Sequence, residues 1–210
     1  MEYLFLAVLW IIWCAIHSGM ISLTATGLFQ RRLKSHYRFC RLIFNLLATA
    51  TIIPVVLYAR SLDGHVLFRW DGLFVGVQVI LLAISGLLFI AGARHYDMLQ
   101  FLGIRQIRTG NAHNALTESG HLDTTGILSL TRHPWYMGGI LFVWAAHPSM
   151  DIASLITNVI LTAYLIVGTI LEERKLVVEF GDEYREYQKR VPMLVPVPWK
   201  RTAKSTEVEE

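Results

Sequence analysis

Five stretches of this chain are apolar over lengths that matter to a bilayer: Tyr3–Leu23, Phe39–Ala59, Leu73–Ala93, Pro134–Ala146 and Ile152–Leu171. A helix needs about 20 mostly apolar residues to cross a hydrocarbon core of about 30 Å. Together the runs take up roughly half of the 210 residues. They leave no room for an independent soluble domain. Charged residues fall to 17%, against about 25% in a soluble domain. The sequence therefore predicts an all-α integral membrane protein with about five transmembrane helices. The first run opens on Glu2, not on a basic segment, and is read as a retained helix. Cys14 and Cys40 fall inside predicted spans, where cysteine behaves as a small buried hydrophobe.

Lysine and arginine set the orientation. Arg31, Arg32, Lys34 and Arg38 separate the first two spans; Arg94, Arg105, Arg108 and Arg132 stand between the third and fourth; the C-terminal part is basic again from Arg174 to Lys204. The opposite side holds only Arg60 and Arg69. This predicts an N-terminus outside and a cytosolic C-terminus, and it accounts for the net charge of +3. No aromatic-basic pattern suggests a nucleic-acid partner.

The chain divides at Arg94. Residues 1–93 form a three-helix membrane region; residues 94–198 hold a polar loop, a C-terminal helical hairpin and an amphipathic cytosolic helix; residues 199–210 read as a disordered tail. The hairpin's first arm is short. Its 13 residues give roughly 20 Å of helix, so either it starts upstream near Ile127 and kinks at Pro134, or it does not cross fully. Both options place Arg132 and His133 beside Glu172 and Glu173. After these, Val177, Phe180, Tyr184, Tyr187 and Val191 recur at helical spacing as one apolar stripe, which suits a helix on the membrane surface or one covering the hairpin.

Ionisable residues at the edge of a span are costly and point to function. Taken singly, Arg132 also fits a positive-inside anchor and Pro134 an ordinary helix start. The two glutamates gain nothing from lipid headgroups, and with Arg132 and His133 they make a polar cup. Gly120, Gly126, Gly138 and Gly139 would let backbone approach a ligand there. His113, His121 and His133 match no metal-ligand spacing, so no metal is expected.

The strings 132-RHPWYMG-138 and 172-EERKLVVEFGDEYREYQKRVPMLVP-196, with the lead-in 120-GHLDTTGILSLTRHP-134, resemble the membrane methyltransferases related to isoprenylcysteine carboxyl methyltransferase and the phospholipid methyltransferases. The N-terminal half is similar to a narrower branch, the methanethiol S-methyltransferases and NnrU-type proteins, through His17-Ser18, Tyr37-Arg38, Asn45 and 96-YDMLQFLGIRQ-106.

The resemblance implies that residues 94–198 are a methyltransferase core binding S-adenosyl-L-methionine from the cytosol, in a prokaryotic inner membrane. Carried onto this chain, the cofactor contacts are Leu122, Thr125, Gly126, Arg132, His133, Tyr136, Gly138, Glu172 and Glu173, with Glu173 alternatively steadying Arg132 or Arg174. His17, His133 and Glu172 are the catalytic candidates, and His17, Gln106 and Tyr187 the substrate contacts. His17 equally fits a core histidine bonded to a neighbour. The implied acceptor is a small lipophilic nucleophile, foremost a thiol such as methanethiol. A phospholipid amine, a prenylcysteine carboxylate, or a non-catalytic NnrU-like accessory role are the alternatives. A small transporter fits the topology but lacks an inverted repeat.

Overall fold

The computed structural model of the protein describes residues 1–109 and 122–195. His113, Gly120, His121, the closing Pro196 and Pro198, and the expected tail lie outside them. Along the chain run α1 (Glu2–Met20), α2 (Leu23–Leu33), α3 (Cys40–Ser61), β1 (Val66–Arg69), α4 (Phe74–Ala93), α5 (Met98–Phe101), α6 (Ile104–Thr109), α7 (Pro134–Ala145), β2 (Ser149–Asp151), α8 (Ile152–Phe180) and α9 (Asp182–Arg190). The two short strands pair antiparallel, Val66 opposite Asp151 and Arg69 opposite Ser149. Among the described residues, four helical runs are long and apolar enough to cross a membrane: Glu2–Met20, Thr24–Ser61, Phe74–Ala93 and Ile152–Phe180. The chain is an all-α integral membrane protein.

The fourth apolar run behaves differently. α7 starts at Pro134, not near Ile127, because residues 126–129 fold as a separate 3-10 turn. Its 12 residues give about 18 Å of helix, short of the ~30 Å core. After the turn at His147–Pro148, strand β2 pairs antiparallel with β1 and leads directly into α8.

Side-chain hydrogen bonds fix the helix directions. Trp10 Nε1 donates to Thr157 Oγ1 at 2.9 Å and His17 Nδ1 lies 2.6 Å from the Tyr164 hydroxyl, so α1 and α8 run parallel. Trp144 Nε1 donates to Thr162 Oγ1 at 2.9 Å, and Gly168 faces Tyr136, so α7 and α8 are antiparallel. Ser85 Oγ donates to the Gly138 carbonyl at 2.8 Å, and Gln78 Nε2 caps the carbonyls of Ala145 and His147, tying α4 along α7. Such bonds carry specificity where lipid removes the hydrophobic difference between inside and outside. Leu4, Ile11, Val79, Leu87 and Ile90 project outward as the lipid-facing surface.

Two apolar clusters sit at opposite ends. Leu6, Trp10, Val55 and Ala153 form one, near the N-terminus of α1. Leu176, Tyr184 and Tyr187, backed by Leu122, Val177, Phe180 and Val191, form the other. The second cluster holds the sequence's apolar stripe, on two helices. Gly181 at φ +57° ends α8 and turns the chain into α9, a backbone region that favours glycine. α9 thus folds back over the base of the α7–α8 hairpin.

Candidate functional site

α7 begins and α8 finishes its apolar stretch at the same end of the bundle, which brings Arg132 and His133 against Glu173. The Arg132 guanidinium reaches Glu173 Oε1 from both Nη2 (2.5 Å) and Nε (2.6 Å). Its Nη1 donates to the carbonyl oxygens of Gln188 and Val191. Gln188 Nε2 donates to Glu173 Oε2 at 2.9 Å, and His133 Nε2 stands 3.3 Å from Oε1. Arginine's planar fork suits such a multidentate clamp. The backbone N–H groups of Arg132 and His133 donate to the carbonyls of Pro192 and Met193, which occupies two donors just ahead of α7.

In front of this clamp lies a narrow cleft, partly open to solvent. Glu172, Arg132, His133, Tyr184, His95 and Asp123 give its lining polar groups, and Leu122, Leu128, Leu176 and Phe180, with the rings of Tyr96 and Tyr187, an apolar wall. Glu172 differs from its neighbour. Tyr136 hydrogen-bonds it, and it has no ion-pair partner among the described residues. Burial raises the Tyr96 phenol well above its ordinary range, with the Glu172 carboxylate adding to the effect. Tyr184 and Tyr187 are raised by the same burial, so all three stay neutral hydroxyls.

Asp123 and His95 form an ordered pair in the lining. Asp123 Oδ2 lies 2.6 Å from His95 Nδ1, while Oδ1 accepts from the Thr125 N–H at 2.9 Å and the Thr125 hydroxyl at 2.7 Å. Partial burial pushes the Asp123 carboxyl up, but the bonds from His95 and Thr125 outweigh it and hold it below the ordinary carboxylate range. Tyr96 packs on Trp135 at 4.4 Å between ring centroids. It opens a module docked on α3: Asn45 Nδ2 and Arg41 Nε donate to the Phe101 carbonyl, Gln106 Nε2 to that of Tyr37, and Arg105 pairs with Asp97 at 2.7 Å.

Of the residues singled out by sequence, Leu122, Arg132, His133, Glu172 and Tyr187 line the cleft. Thr125 holds Asp123, Gly126 sits against His95, and Glu173 stands behind the wall holding Arg132. Tyr136 meets His133 edge-on at 5.6 Å, and Gly138 packs against α4. His17 lies away from the cleft between Trp13, Phe44 and Tyr164, and Gln106 serves the loop module. Sequence reasoning passed over His95, Asp123, Tyr96 and Tyr184 as individuals. Asp123 and Tyr96 lay inside motifs already recognised, whereas His95 carried no local signal.

The fold and cleft define a helical membrane protein with a polar site at one end of its bundle. The chain belongs to the family described as "Protein of unknown function (DUF1295)", whose profile matches residues 4–191. It is 46% identical over 76 residues to methanethiol S-methyltransferase 1 of Bradyrhizobium diazoefficiens, covering 36% of this chain and 26% of that one. To the methanethiol S-methyltransferase of Crocosphaera subtropica it is 31% identical over 142 residues, 68% of this chain and 51% of the relative. To the protein-S-isoprenylcysteine O-methyltransferase of Schizosaccharomyces pombe it is 35% identical over 80 residues, 36% and 33% of the two chains. The chain thus spans about a quarter to a half of the length of these relatives. No solved structure matches it.

Proposed function

We propose that this protein is a membrane methyltransferase that moves a methyl group from S-adenosyl-L-methionine to a small lipophilic thiol, methanethiol being the simplest. The observation that carries the reading is Glu172, a carboxylate facing a half-apolar cleft with no cationic side chain paired to it among the described residues. The cofactor offers a sulfonium, an ammonium, hydroxyls and a flat base. A carboxylate, neutral tyrosines and a leucine-phenylalanine wall are the matching donor set. The relatives named for methanethiol support the acceptor.

In this reading the cleft opens to the cytosol and the N-terminus lies outside. Glu172 takes the cofactor's ammonium or ribose hydroxyls. Arg132 and Glu173 act together, holding the start of α7 so that His133 keeps its place in the wall and Tyr136 its bond to Glu172. Leu122, Thr125 and Gly126 form the side that closes over the base, and Gly138 lets α7 approach α4. His17, Gln106 and Tyr187 mark the acceptor's approach, with His17 packed between α1, α3 and α8. When bound, the cofactor supplies an electrophilic methyl. The protein's part is alignment and exclusion of water, and alignment is worth about 7–11 kcal/mol in favourable cases. A lipophilic thiol enters from the bilayer and a charged cofactor from water, which suits a cleft at the membrane edge.

The relative from Schizosaccharomyces pombe favours a second reading, with a prenylcysteine carboxylate or a phospholipid amine as acceptor. The test offers purified protein labelled cofactor with methanethiol and phospholipid together. Volatile label that disappears in Glu172→Gln supports the thiol reading. Label in the lipid fraction moves the second reading ahead. Absence of both transfer and cofactor binding overturns the enzyme reading in favour of a non-catalytic accessory protein.

A further inference from the structure

We propose that His95 is the base that takes the proton from the methyl acceptor, with Asp123 as its positioning residue; the inference rests on the methyltransferase reading above. A thiol must lose its proton to become a good nucleophile, so the site needs an acceptor for it. Several imidazoles and carboxylates are near, but most are engaged. His133 is 2% exposed and its Nε2 faces Glu173 and Tyr184. Glu173 accepts from Arg132 and Gln188. His17 sits apart, bonded to Tyr164.

His95 is arranged differently. It follows the end of α4 and its backbone N–H donates to the Gly92 carbonyl at 2.9 Å. Its Nδ1 meets Asp123 Oδ2 at 2.6 Å, and Asp123 is itself fixed by two bonds from Thr125. A carboxylate accepts only, so neutral His95 carries its proton on Nδ1 and leaves a lone pair on Nε2. That nitrogen has no hydrogen-bond partner among the described residues, and the ring lines the cleft. A Cβ at Gly126 would stand 2.7 Å from Nε2. The Nε2 edge of the ring thus stands against Gly126, at φ +55°, and a side chain there would cover the lone pair. A base oriented by a carboxylate, with its working nitrogen open to the site, is the usual arrangement for activating a nucleophile.

The step balances without a further reactant. The acceptor's S–H bond breaks, the proton goes to His95 Nε2, and the electron pair stays on sulfur. That sulfur forms the new S–CH3 bond as the methyl–sulfonium bond breaks and its pair returns to the donor's sulfur. Asp123 steadies the imidazolium, which then releases its proton to water through the cleft mouth.

The experiment compares wild type and His95→Gln with two acceptors, methanethiol and an aryl thiol already ionised at the assay pH. Binding of S-adenosylhomocysteine is measured calorimetrically alongside. The expected result is a loss of about 100-fold or more with methanethiol, the lower end of general-base effects. The expected loss with the ionised thiol is less than about fivefold, with product-analogue affinity unchanged. Equal losses with both thiols, or none with either, overturn the inference and leave the functional reading standing. Wild-type protein that methylates neither thiol overturns that reading and this inference with it. Nitrogen-15 NMR of the histidines gives a readout independent of turnover and of how His95→Gln folds. Wild-type His95 is expected with Nδ1 protonated and Nε2 bare, and Asp123→Asn with the proton moved to Nε2. A wild-type ring protonated on Nε2 alone overturns the assignment.

Discussion

Arg132 and Glu173, forty-one positions apart, form one unit: two guanidinium nitrogens converge on Oε1 at 2.5 and 2.6 Å, and both side chains are largely buried. Glu172, the adjacent residue, faces the cleft instead. Removing one partner of a buried pair strands the other charge and costs about 3–5 kcal/mol. Arg132→Ala and Glu173→Gln are each expected to lower the midpoint of thermal unfolding in detergent, and the double variant to be little worse than either. Glu172→Gln is expected to leave the midpoint unchanged while weakening product-analogue binding at least tenfold. A Glu172→Gln protein as unstable as Glu173→Gln would refute the division of labour.

The Asp123 latch gives a pH prediction. Its folded-state carboxyl lies below the ordinary range, held there by His95 and Thr125 against the opposing push of partial burial. The stabilisation is therefore present above the unfolded value of about 3.9 and lost as pH falls through the folded one. The difference in unfolding midpoint between wild type and Asp123→Asn is expected to persist from pH 7 to about pH 4 and to close below it. A difference that closes already by pH 6 would show that Asp123 is not the controlling group.

Arg132, His133, Glu172 and Glu173 were legible in the sequence because each flanks an apolar run, and two runs joined by a tight turn must return to the same side. The run from Pro134 showed its shortness in its length, but not that β2 would follow it and pair with β1. Pairing Ser149 to Arg69 joins segments eighty residues apart, and no local pattern encodes that. The stripe from Val177 to Val191 gave the right neighbours and the wrong continuity, since its spacing is the same whether or not Gly181 breaks the helix. His95 was invisible for a related reason. A single histidine after a span looks like any interfacial residue until Asp123 arrives from twenty-eight positions away.

That break at Gly181 is testable. Nothing lies within 4 Å of a Cβ built there, so any penalty in Gly181→Ala comes from φ +57° and not from crowding. Backbone strain of this kind costs about 1–3 kcal/mol. The unfolding midpoint is expected to fall accordingly, with loss of protection in hydrogen exchange confined to α9. An unchanged midpoint would mean that α8 and α9 join as readily without the glycine.

Tyr187 ties α9 to the loop before α7 by donating its hydroxyl to the Leu128 carbonyl, and both residues are buried. Tyr187→Phe keeps the ring and its edge-on contact with Tyr184 at 5.7 Å, so the variant isolates the hydroxyl. A buried carbonyl left without its donor costs about 1–3 kcal/mol. The same change frees the 3-10 turn at residues 126–129, which carries Gly126 against His95. The expected outcome is therefore double: a lowered unfolding midpoint, and a His95 nitrogen-15 signal broadened by exchange. A lowered midpoint with a sharp, unshifted His95 signal would mean that Asp123 and Thr125 alone hold the imidazole, and that α9 supports the cleft's apolar wall without holding His95.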